Sequence, residues 1–275
     1  MTGLVGAAAT VHAPLILGMP KLAPEAKRVA VDAGFARLRS YVEQCRPDVI
    51  VTISSEHITN FLADDCPAFA TSSATTNPVQ PEFGLAEAEV PSHPAFSSAL
   101  VSAAQARGVP IEARDGLRLD HGTNLPLSYL TPDYAIPVVP VIVNTVWQPL
   151  PPMAQAVELG FALHEAAERS GLRIFAIAAG GISHWVGNAR HGDMNEEFDV
   201  RFLDMIRHAD LAALSALTDA EIDVAGDGAH EVRSWVSVAH AAARAGLVPE
   251  VVLEETFVPG WNVSVYQVRW IRAER

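Results

Sequence analysis

The sequence predicts an α/β fold, and three patterns near its start carry that prediction. Apolar, β-branched runs that are typical of strands occupy residues 4–11 and 48–54. A pattern with helical periodicity occupies residues 24–45 between them. A strand, a helix and a strand in this order form a βαβ unit, whose two strands lie parallel in one sheet. We therefore expect binding groups at the carboxyl edge of that sheet.

The same alternation of strands and helices continues along the chain. A run of β-branched residues that contains prolines predicts a further strand, because proline is rare inside helices. Glycines and capping residues mark the ends of the predicted helices. The segment Thr71–Pro91 is rich in Ser, Thr and Pro without a clear period, which predicts a long surface or lid loop. The other predicted elements are a helix over 94–106, a strand over 136–143, a helix over 153–170, a strand over 173–178 and a helix over 195–209.

The last predicted helix carries the clearest end signals. Asp227 is a suitable N-cap, and Gly246 is a suitable C-terminal cap. Glu231 falls in the first turn, and the residues at helical spacing from it, Trp235 and Val238, are apolar. We therefore expect Glu231 to point inward, where a carboxylate needs a partner.

Length, charge and composition exclude several classes of protein. With 275 residues and 49% hydrophobic content, the chain can form one large α/β domain or two small ones. A net charge of −13, with Lys21 and Lys27 as the only lysines, disfavours nucleic acid as a partner. The two cysteines, Cys45 and Cys66, form no CxxC motif, and we expect reduced thiols in the cytoplasm. We expect no membrane association, because no apolar stretch reaches the roughly 20 residues of a membrane span and the N-terminus resembles no export signal.

Histidines follow three of the predicted strands. His12 follows the first strand, His57 the second, and His184 follows a later one after Gly-Gly-Ile-Ser. Two imidazoles with a carboxylate such as Glu231 are the ligand set of non-haem Fe(II) oxygen chemistry, so we predict a metal site at the sheet edge. His230 precedes Glu231 directly but lies about a hundred degrees away around the helix, and we exclude it as a co-ligand.

Each of these residues also has an ordinary structural explanation. A hydrogen-bonded position in the core would explain His12, and a turn would explain His57. His121 fits an Asx-type turn, and His184 fits the end of a strand. Glu231 fits the common role of a first-turn acid that complements the helix dipole. The prediction of a metal site therefore depends on the complete set.

Six short motifs follow one another from His12 almost to the C-terminus. They are Val11-His12-Ala13-Pro14, Pro47-Asp48-Val49-Ile50 leading to Glu56-His57, Asp120-His121-Gly122-Thr123, Gly180-Gly181-Ile182-Ser183-His184, Glu197-Phe198-Asp199 with Phe202-Leu203, and His230-Glu231-Val232 with Trp235. In this order and approximate spacing they resemble the class III extradiol ring-cleavage dioxygenases, in particular catalytic subunits of the protocatechuate 4,5-dioxygenase and 2,3-dihydroxyphenylpropionate 1,2-dioxygenase type.

The resemblance implies a fold and a metal. The fold would be a single catalytic α/β domain over residues 1–275, with a mixed central sheet flanked by helices and the metal at one sheet edge. Fe(II) would be held by His12, His57 and Glu231, which leaves positions for a substrate and for dioxygen. No organic cofactor is implied.

The resemblance also implies proton transfer by two further histidines. His184 matches the acid/base histidine of the family. His121, preceded by Asp120, matches a second active-site histidine that positions the substrate or transfers a proton later, and neither histidine is expected to bind the metal. The implied reaction inserts both atoms of O2 into a catechol-like or 2-aminophenol-like ring and opens it to a muconic semialdehyde type of product. Trp185 stands where a glutamine is common, so the ring substituents stay open.

Two other classes of function stay open beside the dioxygenase. One is a non-catalytic binding or scaffold protein on the same fold, against which the presence of both His121 and His184 argues. The other is a zinc-dependent hydrolase, for which the same three ligands would suffice. We expect the protein to bind a small aromatic substrate and O2. We also expect it to form a homo-oligomer, or to bind a small second subunit that closes the pocket.

Overall fold

An eight-stranded sheet runs through the centre of the protein. The computed structural model describes residues 2–273. In that span the strands are β1 (Gly3–Thr10), β2 (Val49–Ser55), β3 (Phe69–Ser72), β4 (Thr76–Pro78), β5 (Glu89–Pro91), β6 (Ile111–Arg114), β7 (Val138–Val143), β8 (Arg173–Ala179), β9 (Leu247–Val258) and β10 (Val263–Arg272). β4 and β5 pair with each other in a separate small sheet.

The large sheet has the strand order β6-β3-β7-β2-β8-β1-β10-β9. Its four central strands, β7, β2, β8 and β1, are parallel neighbours. β10 pairs antiparallel with β1 and with β9, and β3 pairs antiparallel with β7. The expected α/β class with a mixed central sheet is therefore confirmed. Parallel central strands are buried on both faces, which explains why the runs at 4–11 and 48–54 are mostly apolar and do not alternate between polar and apolar residues.

Helices cover both faces of this sheet. They are α1 (Leu15–Gly18), α2 (Glu25–Cys45), α3 (Pro94–Ala106), α4 (His121–Leu130), α5 (Met153–Ser170), α6 (Glu196–Arg207), α7 (Leu211–Ala216), α8 (Asp219–Asp223) and α9 (Val232–Arg244), with short 3₁₀ helices over Pro20–Leu22, Ala63–Asp65 and Asp227–Glu231. Neighbouring residues of a strand face opposite sides. Ile50 accordingly belongs to the core on the side of Phe35 in α2, and Val51 to the core on the side of Trp235 in α9. Within residues 2–273, none of the helices is both long and apolar enough to cross a membrane.

The strands and helices predicted before residue 227 are all present, with ends that differ by no more than one or two residues. The last helix begins later than predicted. Residues Asp227–Glu231 form a 3₁₀ helix, and Asp227 is not an N-cap. Its carboxylate instead accepts hydrogen bonds from the backbone of Val186 at 2.8 Å and the side chain of Asn188 at 2.9 Å. Gly246 follows the end of α9 with φ 71°, as a C-terminal cap requires.

The prediction of a loop over Thr71–Pro91 is partly wrong. The segment begins inside β3 and contains the hairpin of β4 and β5, with Asn77 and Val90 fully buried. No element was predicted after Gly246, yet β9 and β10 form there and extend the sheet. β10 pairs with β1 at the start of the chain, and β9 pairs with β10, so the attachment of both strands to the sheet depends on a contact distant in sequence.

Helices α5 and α9 approach each other closely at one glycine. A Cβ atom added at Gly160 would overlap the carbonyl oxygen of Ser237 in α9. The Ser237 hydroxyl donates a hydrogen bond to the carbonyl oxygen of Ala156 at 2.8 Å, so this contact also joins the two helices. Because the obstacle is backbone, a side chain at position 160 would require one helix to move.

Gly160→Ala tests this close approach. Alanine favours a helix over glycine by about 1 kcal/mol, but overpacking costs about 1–3 kcal/mol. We expect the free energy of unfolding in urea to fall. Ala154→Gly, at an exposed position of the same helix, measures helix propensity alone. A Gly160→Ala protein that is more stable than the wild type would contradict the packing.

Candidate metal centre

His12 and His57 reach the same edge of the sheet because their strands flank β8. β1 and β2 are both parallel neighbours of β8, and they end at Thr10 and Ser55, two residues before each histidine. Strands two places apart are separated by about 10 Å, a gap that two imidazole side chains can bridge. Their ring centroids are 4.8 Å apart in an edge-to-face arrangement. The expected convergence at the carboxyl edge is present.

The carboxylate of Glu231 contacts both of these imidazoles. Its Oε2 lies 3.3 Å from Nε2 of His12, and its Oε1 lies 3.3 Å from Nε2 of His57. The backbone N–H of Gly181 donates a hydrogen bond of 2.5 Å to Oε2. Glu231 is buried beside Trp235, so its expected inward orientation is present.

Asp120 holds the ring of His57 from the opposite side. Its Oδ2 lies 3.1 Å from Nδ1 of His57, and its Oδ1 accepts a hydrogen bond from the Gly122 backbone at 2.9 Å, which caps helix α4. A Cβ atom added at Gly122 would lie 2.5 Å from Cε1 of His57. Glycine at this position therefore lets the start of α4 approach the imidazole.

His121 joins the same group from the first turn of α4. Its ring centroid lies 4.3 Å from that of His57 and 5.6 Å from that of His12. One ring nitrogen from each of the three histidines lies within 4.8 Å of the others, a grouping that could hold a metal ion. Proximity alone therefore allows either His121 or Glu231 to be the third ligand of a metal ion held by His12 and His57. The Nδ1 of His121 lies 2.8 Å from Oε1 of Glu82.

His184 occupies a slot formed by two glycines. A Cβ atom added at Gly181 would lie 2.7 Å from Cε1 of the imidazole, and one added at Gly228 would overlap the ring. The Nε2 of His184 lies 3.8 Å from Oε1 of Glu231. The loop after β8 and the 3₁₀ helix before α9 thus bring His184 to the same carboxylate as His12 and His57.

Charge and burial act against each other throughout the cluster. Burial lowers the pKa of His12, which favours the neutral imidazole that a metal needs. Burial acts the same way on His57, but the carboxylates of Asp120 and Glu231 overcome it and raise the pKa of His57 well above its usual value. Burial acts to raise the pKa of Glu231, yet His12, His184 and His57 hold it well below its usual value. Glu231 is therefore a charged carboxylate at neutral pH.

Another buried acid, Asp199, contacts the loop that carries His184. The Oδ1 of Asp199, in helix α6, accepts a hydrogen bond from the backbone of Ser183 at 2.8 Å. Asp199 is fully buried, and its Oδ2 has no hydrogen-bond partner among the described residues. Burial raises the pKa of Asp199 to about 6, against the opposing effect of the Ser183 hydrogen bond.

The structure brings together every residue that was predicted for the site and adds one that was missed. His12, His57, His121, His184, Asp120 and Glu231 all belong to the cluster. Glu82 was missed because it lies in a segment without a periodic pattern, where nothing in the sequence indicates its contact with His121. The ring of His230, which was excluded as a co-ligand, lies 2.8 Å from the carboxylate of Asp223 and 2.7 Å from the guanidinium of Arg233.

Comparison with known proteins identifies the family of the chain. A family model described as the catalytic LigB subunit of aromatic ring-opening dioxygenase matches residues 6–266. The chain belongs to this family. Membership supports aromatic ring-cleaving dioxygenase activity and confirms the family resemblance predicted from the motifs.

Relatives extend the similarity over most of the chain. A 2,3-dihydroxyphenylpropionate/2,3-dihydroxicinnamic acid 1,2-dioxygenase of Burkholderia vietnamiensis is 26% identical over 88% of both chains. The protein of the same name from Mycolicibacterium gilvum is 28% identical over 90% of both. Among solved structures, an uncharacterized protein of Escherichia coli K12 superposes with a TM-score of 0.61 at 17% identity, over 96% of this chain and 99% of that one. The similarity to the Escherichia coli protein is a similarity of fold alone.

Asp199→Asn tests the buried acid beside Ser183. Because the pKa of Asp199 rises from 3.8 to about 6 on folding, its ionisation makes the folded protein lose stability as the pH rises through that range. An asparagine keeps an oxygen for the Ser183 N–H but cannot ionise. A tenfold change in acid strength is worth about 1.4 kcal/mol, so the stability of the variant relative to the wild type should increase by about 1–2 kcal/mol between pH 5 and pH 8. Urea unfolding across this range measures the difference, and a flat or decreasing difference would contradict it.

Proposed function

We propose that this protein is an Fe(II)-dependent extradiol dioxygenase that acts on an aromatic ring with two adjacent hydroxyl groups, or with a hydroxyl and an amino group. The observation that carries the proposal is the buried contact of one carboxylate, Glu231, with two imidazoles at a sheet edge, beside two further histidines. Family membership supports the same class of reaction.

The donor set fits a ferrous ion. Two ligand atoms at about 2.1 Å from a metal and at right angles to each other are about 3 Å apart. The distances of 3.3 Å from Glu231 to Nε2 of His12 and of His57 are close to that value. They are longer than the 2.7–2.9 Å or so of a charge-assisted hydrogen bond. Asp120 would orient His57 through Nδ1, the usual arrangement for a metal-bound histidine.

We assign Glu231, and not His121, as the third ligand. Glu231 is in direct contact with both His12 and His57, and its charge would offset that of the metal. Among the described residues, His121 makes no such contact with Glu231, and its ring packs against that of His57 at 4.3 Å between centroids. When bound, ferrous iron supplies a Lewis acid for the diol oxygens and a redox centre for dioxygen.

The chain itself supplies the proton chemistry. A catechol that binds through both oxygens must lose protons, and an imidazole accepts protons well near neutral pH. His184 is held rigidly by its glycine slot near Glu231, so it is placed to take the proton of one hydroxyl and to return a proton later. His121 packs against His57 and would position the substrate or take part in later proton transfer. All atoms of the diol and of O2 are present in a ring-opened semialdehyde product, so no external reductant is needed.

Oxygen uptake tests the proposal directly. Protein loaded with Fe(II) under anaerobic conditions is offered 2,3-dihydroxyphenylpropionate, protocatechuate, unsubstituted catechol and 2-aminophenol. We expect consumption of one O2 per ring opened and a yellow product with at least one of them. An iron-loaded protein that consumes no oxygen with any member of such a panel would contradict the proposal.

Single substitutions separate the metal ligands from the proton-transfer residues. His12→Ala and Glu231→Ala should lose iron, because each removes a ligand. His184→Ala should keep iron but lose activity by about 100-fold or more, the usual contribution of a general acid or base. His208→Ala, at an exposed position of the described chain, is the control and should keep both. Iron retained by Glu231→Ala but lost from His121→Ala would overturn the ligand assignment.

A further inference from the structure

The hydrogen bonds of Glu82 to His121 are not explained by the proposed metal site. Glu82 lies between β4 and β5, and its Oε1 accepts from the backbone N–H of His121 at 2.8 Å. The same oxygen lies 2.8 Å from Nδ1 of the His121 ring. One carboxylate oxygen thus holds both the first residue of helix α4 and its imidazole.

A charged carboxylate only accepts hydrogen bonds, so the Nδ1 of His121 must carry a proton. In the neutral imidazole the other nitrogen, Nε2, then has a free lone pair. Because Glu82 occupies Nδ1, Nε2 is the nitrogen that stays available to a substrate. Acceptance of a hydrogen bond or a proton at Nε2 from a hydroxyl group requires this tautomer.

The residue after Glu82 has an unusual backbone conformation and also contacts His121. Phe83 adopts φ 48°, in the left-handed region that side chains other than glycine rarely occupy. Its ring meets that of His121 edge to face at 5.2 Å between centroids. The backbone of Phe83 packs against Gly18 at the end of α1, where an added Cβ would lie 3.4 Å away. Glu82 therefore accepts hydrogen bonds from His121, and the next residue, Phe83, contacts the His121 ring.

We propose that Glu82 is the positioning residue of His121: it selects the tautomer in which Nε2 accepts a hydrogen bond or proton from a substrate hydroxyl. The proposal rests on the proposed function for its chemistry. Each of the two histidines has its own carboxylate: Asp120 contacts Nδ1 of His57, and Glu82 contacts Nδ1 of His121. Removing Glu82 should therefore affect the substrate side of the site and leave iron binding intact.

Glu82→Gln tests the proposal with little change in shape. The amide oxygen can still accept from the His121 backbone, but the amide can also turn its NH2 group toward Nδ1, so the tautomer is no longer fixed. Long-range 1H–15N NMR spectra of the full-length protein, recorded before iron is added, report the protonated nitrogen of His121. We expect a proton on Nδ1 in the wild type and a mixture of tautomers in Glu82→Gln. Glu87→Gln, at an exposed position between the same two strands, is the matched control and should match the wild type.

A double-mutant comparison tests the route by which Glu82 acts. In the iron-loaded enzyme, Glu82→Gln should reduce kcat about tenfold without loss of iron, by analogy with residues that orient a functional histidine. In a His121→Ala background the same change should have almost no further effect, because its target is gone. An equal reduction in both backgrounds would overturn the proposal.

The two readouts separate this proposal from the proposed function. Should the wild-type enzyme open none of the rings offered, the proposed function fails and the NMR spectra still test Glu82. An unchanged His121 tautomer in Glu82→Gln, or a proton on Nε2 in the wild type, would overturn the role of Glu82 whatever the activity. If Glu82→Gln does not fold, the tautomer of the wild-type protein decides alone.

Discussion

The contact of Glu231 with His12 and His57 is the interaction on which the rest of the site depends. A buried carboxylate is costly unless it is paired and hydrogen-bonded. Glu231 meets two imidazoles at 3.3 Å and accepts the backbone N–H of Gly181. Each of these partners comes from a different strand end, and Glu231 comes from the turn before α9. The carboxylate therefore joins three strands of the sheet to the helix layer.

Glycines make this convergence possible, because each one stands where a side chain would collide with a functional group. Gly180 lies against the Cβ of Glu231, Gly181 and Gly228 against the ring of His184, and Gly122 against the ring of His57. The site is thus built by bringing backbone close to imidazole and carboxylate groups. Such close packing limits the orientations that these rings can adopt.

Much of this arrangement was predictable, because the relevant signals are local. Strand runs followed by His12 and His57 placed both residues at one sheet edge, and apolar neighbours at helical spacing placed Glu231 inward. Three features were not predictable for the same physical reason. The pairing of β10 with β1, the contact of Glu82 with His121 and the contact of Asp227 with Val186 all join segments distant in the chain. Periodicity and capping patterns describe short stretches of sequence, so they do not indicate contacts between residues far apart in the chain.

X-ray diffraction data from crystals of the iron-loaded protein, collected on both sides of the iron absorption edge, test the proposed ligand set most directly. The anomalous difference map locates iron without reference to any assumed ligand. We predict a single peak in contact with Nε2 of His12, Nε2 of His57 and the carboxylate of Glu231, with His121 and His184 beside it but not bound. Iron bound to His121 and not to Glu231, or no iron peak at this edge of the sheet in an active enzyme, would contradict the account.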